Sequence, residues 1–197
     1  MKKVAIVGLG IMGGSMGYGL KESQLFDFVY GCDVNKEHIK EALKLGIIDK
    51  EVDFEEAKTC DTIIIATPVE TIAKILHELA GLGEKQTVID LGSTKEELIK
   101  TAPTSIRKNY VPTHPMCGTE KHGPSAAIKG LYKNKVVVFC NINDSGKEQF
   151  EEAKKIFEAL GSRIVYMDAR EHDKHAAFIS HLPHAIKIGR ASCRERV

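Results

Sequence analysis

Two groups of residues in this sequence have the types and spacing to do chemistry. The first is Gly8-Leu9-Gly10-Ile11-Met12-Gly13, which follows the apolar run Lys3 to Val7 and precedes a helical pattern. A lone GxGxxG is weak, but between a strand and a helix its physics is specific. Gly8 permits the tight turn, Gly10 lets the backbone approach a pyrophosphate, and Gly13 lets the helix pack closely on the strand. Phosphates then sit at the helix N-terminus, where unpaired N–H groups and the helix dipole favour negative charge. Asp33 ends the second apolar run, twenty residues past Gly13. A carboxylate there accepts hydrogen bonds from ribose hydroxyls and repels a 2′-phosphate, so the expected cofactor is NAD in preference to NADP. Lys36 is near enough to soften that preference.

The second group centres on His114, at the end of the apolar run Tyr110 to Thr113. An imidazole at the ligand side of a sheet, with an ordinary pKa near ~6.5, can take a proton from a substrate hydroxyl while hydride leaves the same carbon. A structural turn histidine is the plainer alternative. Thr67 and Ser93 follow two other strand-like runs and are candidates to line the same crevice, although either could instead cap the helix that follows it. His38 and His77 fall in amphipathic helical patterns and are expected at the surface.

These residues need a scaffold that brings strand ends together. Strands are expected at Lys3–Val7, Phe28–Cys32, Thr62–Ala66, Thr87–Leu91, Tyr110–Thr113, Val136–Cys140 and Arg163–Met167. Helices are expected at Ser15–Ser23, Lys36–Leu45, Val69–Leu82, Thr94–Lys100 and Lys147–Leu160, with Ile72, Ile75, Leu76 and Leu79 on one face of the third. Apolar strands alternating with helices predict an α/β fold, a doubly wound, mostly parallel sheet of Rossmann type. The texture changes near Asp168, where REHDKHAAFISHLPHAI begins a helical pattern with no further strand. The expected organisation is a NAD-binding domain over 1–168 and the first helix of a truncated all-α domain over 169–188. The basic, non-periodic stretch 189–197 is expected to be a non-native tail.

Composition excludes several classes. Of 197 residues, 28 are basic and 27 acidic, for a net charge of +1, so no one-sided basic field for nucleic acid or a membrane surface exists. The five cysteines, Cys32, Cys60, Cys117, Cys140 and Cys193, are scattered and form no CxxC, which argues against a disulfide framework or a zinc ribbon. No apolar run reaches membrane-span length, and with the first strand almost at Met1 no signal peptide is expected. A cytoplasmic location is expected.

The motifs GLGIMGGS, ATPVE, DLGSTKEE, THPMCGTEKHGP and HDKHAAFISHLPHA, in this order and spacing, make the chain from Lys2 to about Ile186 resemble the prephenate dehydrogenase family. The resemblance implies oxidative decarboxylation of prephenate to 4-hydroxyphenylpyruvate in tyrosine biosynthesis. It makes His114 the base on the substrate hydroxyl and sets Ser93 beside that hydroxyl and the nicotinamide. It also sets Thr119 and Glu120 at the mouth of the substrate pocket, and turns His181 and His184 toward substrate and cofactor. In the family a helical domain supplies an arginine for substrate carboxylates and forms a homodimer. Arg190, Arg194 and Arg196 do not sit in that motif, so the chain alone is expected to bind NAD and to be weakly active or inactive.

Rival readings remain at this level. His172, His175, His181 and His184 could suggest a metal site, but Pro183 disturbs the last pair and no acidic cluster converges on them; no metal is expected. Arogenate, with an amine replacing the side-chain keto group, is the nearest alternative substrate. The β-hydroxyacid and 6-phosphogluconate dehydrogenases share the fingerprint but lack a His-Pro after the fifth strand. A non-catalytic NAD-sensing module would have no need of His114 together with Ser93.

Overall fold

The computed structural model describes residues 1–117 and 123–178. Among them eight strands form one sheet: β1 (Lys3–Val7), β2 (Phe28–Cys32), β3 (Lys50–Glu51), β4 (Thr62–Ile65), β5 (Thr87–Asp90), β6 (Tyr110–Pro115), β7 (Val136–Cys140) and β8 (Arg163–Met167). Their spatial order is β3-β2-β1-β4-β5-β6-β7-β8. Every neighbouring pair is parallel except β6 and β7, which run antiparallel. The doubly wound, mostly parallel sheet expected from the alternating pattern is the one observed.

Strand residues of a parallel sheet are buried on both faces, and their period of two divides them between two cores. Val4 and Ile6 of β1, Ile64 of β4, Ile89 of β5 and Phe139 of β7 join one apolar cluster. That cluster is closed by Met16 and Leu20 of α1 (Ile11–Ser23), Ile39 of α2 (Lys36–Lys44) and Phe157 of α6 (Lys147–Ala159). Val7, Ile63, Ile65 and Val88 face the other way. They pack on Ile72 and Leu76 of α4 (Val69–Glu78) and on Leu98 and Ile99 of α5 (Glu96–Thr101). The short α3 (Phe54–Ala57) covers a smaller patch with Ala57.

Most differences from the sequence pattern lie at element ends. α1 starts at Ile11, inside the glycine loop, because the Gly14 N–H already bonds the Gly10 carbonyl at 2.8 Å. α4 stops at Glu78, with Leu79 as its cap and Gly81 at φ +91° soon after. α5 begins two residues later than Thr94. β6 does not end at Thr113 but carries His114 and Pro115 into pairing with Val138 and Val137 of β7. β3 and α3 were not foreseen; Lys50 and Glu51 are exposed and carry no apolar signal.

Residues 169–178 are helical, in the segment where a helix was expected. Ala169 packs into the cluster beneath α4 and α5, and His172 is buried against the same side of the sheet. No helix among the described residues is long and apolar enough to cross a membrane.

Candidate active site

The sheet order reverses between β1 and β4, and in such sheets the crevice beyond the strand ends at that reversal is where ligands bind. A cavity of about 780 Å³ lies there, at the ends of β1, β2 and β4. Gly8, Gly10, Ile11, Met12, Asp33 and Thr67 all line it. The glycines behave as their spacing requires. Gly8 has φ +93°, and a Cβ there would lie 2.8 Å from the Ala66 carbonyl oxygen. A Cβ on Gly13 would lie 1.9 Å from the Gly8 oxygen, so only a bare α-carbon lets α1 pack this closely on β1. A Cβ on Gly10 would meet nothing within 4 Å, and its space opens onto the cavity.

Leu9 contributes differently: its side chain is fully buried, and its N–H donates to Asp33 Oδ2 at 2.7 Å. Asp33 Oδ1 accepts from the Asn35 N–H at 2.8 Å, and His38 Nδ1 stands 3.3 Å from Oδ2. His38, expected at the surface, is instead half-buried and lines the cavity; its register on α2 brings it back over Asp33. Lys36, which could have welcomed a 2′-phosphate, is paired with Glu51 of β3. Thr67 does not cap α4, whose cap Pro68 carries no side-chain bond. Its hydroxyl oxygen is buried without a hydrogen-bond partner, an orphaned polar atom at the wall of the cavity. A buried unpaired hydroxyl is costly, so it is most economically explained by a ligand group. Open space at Gly10, an acid at the end of β2 and this hydroxyl together fit a dinucleotide.

His114 belongs to a different group, at the ends of β5 and β6. The register Asp90↔Pro112 brings these two strand ends side by side. Ser93 is exposed in the turn that leaves β5. His114 Nδ1 lies 2.9 Å from His172 Nε2, with the rings edge to face at 83°. His172 Nδ1 lies 2.7 Å from Asp173 Oδ1. Burial first, then His172 and Lys95, lower the pKa of His114 from 6.5 to about 4, against an opposing pull from Asp173. His114 is therefore a neutral imidazole at ordinary pH, able to accept a proton.

Beneath it lies a charged pair with no solvent contact. Lys95 Nζ bonds Asp90 Oδ2, and both side chains are 0% exposed. The Asp90 carboxylate also accepts from the Gly92 N–H at 3.0 Å, the Tyr110 hydroxyl at 2.9 Å and the Thr113 N–H at 3.2 Å. Four donors on two oxygens saturate the carboxylate, the condition under which a buried charge is tolerated. Tyr110 has its pKa raised well above 10 by burial and by the Asp90 charge, which keeps its proton on that bond.

The sequence reading did not single out Asp90, Lys95 or Asp173 and weighed His172 only as a metal ligand. Asp90 and Lys95 do stand five apart in DLGSTKEE, and His172-Asp173 is the HD of HDKHAAF. Thr119, Glu120, His181 and His184 lie outside the described residues.

The family model for the prephenate dehydrogenase nucleotide-binding domain matches residues 16–166. The chain belongs to the prephenate dehydrogenase family. The prephenate dehydrogenase of Bacillus subtilis is 33% identical over 189 residues, covering 93% of this chain and 51% of that protein. The cyclohexadienyl dehydrogenase of Zymomonas mobilis is 29% identical over 190 residues, covering 94% of this chain and 64% of that protein. Among solved structures, the prephenate dehydrogenase of Aquifex aeolicus in complex with hydroxyphenyl propionate and NAD+ superposes with a TM-score of 0.89 at 33% identity. It covers 98% of this chain and 69% of that one. The chain spans about half the length of the prephenate dehydrogenases of B. subtilis and Lactococcus lactis that it matches. Its fold is thus that of the nucleotide-binding domain of a prephenate dehydrogenase, and both the crevice at Gly8–Gly13 and the His114 cluster belong to that domain or to the helix that follows it.

Proposed function

We propose that this chain is the cofactor-binding half of an NAD-dependent enzyme that oxidatively decarboxylates prephenate to 4-hydroxyphenylpyruvate in tyrosine biosynthesis. The observation that carries the reading is the neutral, half-buried His114 at the end of β6, one strand beyond β5 and on the ligand side of a sheet whose crevice fits a dinucleotide. Gly8, Gly10 and the N–H groups at the start of α1 would receive the pyrophosphate, Asp33 the adenosine ribose and Thr67 a hydrogen bond from the bound molecule. NAD+, when bound, supplies the hydride acceptor.

The work left to the protein is proton handling and orientation. His114, uncharged, accepts the proton of the ring hydroxyl as that carbon gives up hydride and CO2 leaves the opposite ring carbon. The net reaction releases no proton, so the imidazole returns it to the oxygen once the ring is aromatic. Aromatisation supplies much of the driving force, so a correctly held base and a correctly oriented ring account for most of what is required. Ser93, exposed in the turn that leaves β5, would orient the hydroxyl. Thr119, Glu120, His181 and His184 complete the substrate pocket, with the helical domain that begins near residue 169 supplying the carboxylate-binding arginine and a homodimer interface. The four free cysteines among the described residues, Cys32, Cys60, Cys117 and Cys140, suit a reducing cytoplasm.

The test is NADH formation by the full-length protein with prephenate and, separately, arogenate. The expected result is NADH and CO2 release with prephenate, lost in His114→Asn. Turnover with arogenate alone would move the substrate assignment within the family, and no NADH with either would end the reading.

A further inference from the structure

Behind His114 the structure holds a chain of groups that the proposed reaction does not by itself require. His114 Nδ1 meets His172 Nε2 at 2.9 Å, and His172 Nδ1 meets Asp173 Oδ1 at 2.7 Å. The same carboxylate is fixed from the other side, where Oδ1 accepts from the Lys95 N–H and Oδ2 from the Glu96 N–H, each at 2.8 Å. His172 is 2% exposed, and Asp173 reaches α5 across more than seventy residues of sequence.

The tautomers follow from the donors and acceptors once each ring carries a single proton. All of Asp173's partners at these distances are N–H groups or a ring nitrogen. Burial pushes its pKa up, but the Glu96 N–H, His172 and the Lys95 N–H outweigh burial and hold the carboxyl below its ordinary value. An ionised carboxylate only accepts, so the proton of His172 sits on Nδ1. With one proton on each ring, His172 Nε2 is then bare and accepts from His114 Nδ1–H. That leaves the lone pair of His114 on Nε2, the nitrogen turned away from the relay.

We propose that His172 and Asp173 are positioning residues that fix the tautomer and ring orientation of His114, so that Nε2 is the proton acceptor. The assignment rests on the reading of His114 as the base, and it deepens that reading by naming what makes one of its two nitrogens the reactive one. Among the described residues, the charged and titratable groups acting on His114 are His172 and Asp173 from the helix at 169–178 and Lys95 from the start of α5. The carboxylate also offsets, across the His172 ring, the positive charge that His114 acquires when it takes the substrate proton.

Two measurements separate this role from simple packing. In the 197-residue chain, ¹⁵N NMR of the imidazoles reads the tautomer directly. The expected wild-type result is His114 protonated at Nδ1 and bare at Nε2. In Asp173→Asn either amide orientation sets its NH2 against an α5 N–H, so His172 Nδ1 no longer faces a pure acceptor and both rings are expected to populate a mixture of tautomers. In the full-length enzyme, Asp173→Asn should lower kcat at least ~100-fold, the scale of a lost general base, with KM changed by less than about threefold. His172→Phe removes the link while leaving Asp173 on the α5 N–H groups, so the fold persists; it should give a mixed His114 tautomer and a similar loss of kcat.

A wild-type His114 protonated at Nε2, or an Asp173→Asn protein with unchanged tautomer and unchanged kcat, would overturn the relay. If the tautomers behave as stated but His114→Asn retains full activity, the relay stands as structure and the base assignment is what fails.

Discussion

Acidification from about pH 7.5 to 5 is the perturbation that the burial of His114 makes most informative. In the folded protein the pKa of this histidine is about 4, lowered from 6.5 by burial, by His172 and by Lys95, with Asp173 opposing. The unfolded chain therefore takes up the proton first as pH falls. Stability from this group is complete above about pH 6.5 and is lost progressively as pH drops toward 4. A shift of roughly 2.5 units at about 1.36 kcal/mol each is about 3 kcal/mol in full, of which about 2 kcal/mol is already lost at pH 5. The assay is urea unfolding followed by circular dichroism, across this pH range, for the wild type and His114→Asn. Asparagine cannot titrate, so the stability difference between the two proteins should move by about 2 kcal/mol in favour of the variant on going from pH 7.5 to 5. Parallel pH curves, offset by a constant, would refute the claim that His114 is held neutral by its surroundings.

Other outcomes follow from particular contacts. Gly10→Ala should leave the melting temperature unchanged, because its Cβ meets nothing, yet weaken NAD binding at least ~10-fold by calorimetry, because that methyl stands where the pyrophosphate must approach. Gly13→Ala should do the opposite at the level of folding: its Cβ would sit 1.9 Å from the Gly8 oxygen, and a cost of about 3 kcal/mol in urea unfolding is expected. Lys95→Met strands the saturated but now uncompensated Asp90 charge, and should cost about 3–5 kcal/mol in the same assay. Asp33→Asn removes the charge that repels a 2′-phosphate, so the ratio of NADP to NAD dissociation constants should fall by about tenfold in titrations of the two nucleotides.

Local sequence carried most of the sheet because most strands are short apolar runs bounded by turn residues. β1, β2 and β7, largely buried, fall on the expected residues for that reason, and the edge strand β8 does so through its apolar run alone, with Val165 and Tyr166 exposed. The failures share a cause as well. β3 is two exposed residues, and its pairing with Tyr30 and Gly31 is a consequence of the chain returning past β2, which no local pattern records. β6 extends through His114 only because β7 arrives antiparallel beside it. In the site, Gly8, Gly13 and Asp33 were legible since their duties are backbone geometry and charge at a fixed distance along the chain. His172 and Asp173 were not: their role depends on a helix at residue 169 folding back to reach α5 and β6, a contact between positions 58 to 78 residues apart.

That long-range contact gives the two halves of the site unequal mechanical support. The nucleotide crevice is built on the glycine loop and two strand ends, and Asp33 is tied to that loop through Leu9. His114, by contrast, stands above a closed network in which Tyr110, Thr113, Gly92 and Lys95 all bond one carboxylate, Asp90. Lys95 is the link between that floor and the relay, since its ammonium holds Asp90 while its N–H holds Asp173. An imidazole fixed from below by its own strand and from the side by a second imidazole has little freedom left, and the general-base role proposed for His114 would depend on that restriction, because proton transfer falls off steeply with misplacement of the acceptor. The cost is a buried ion pair that contributes little net stability, and its use here is geometric: hydrophobic replacements could fill the same volume, but they could not hold β5, β6 and α5 in one register through a single side chain.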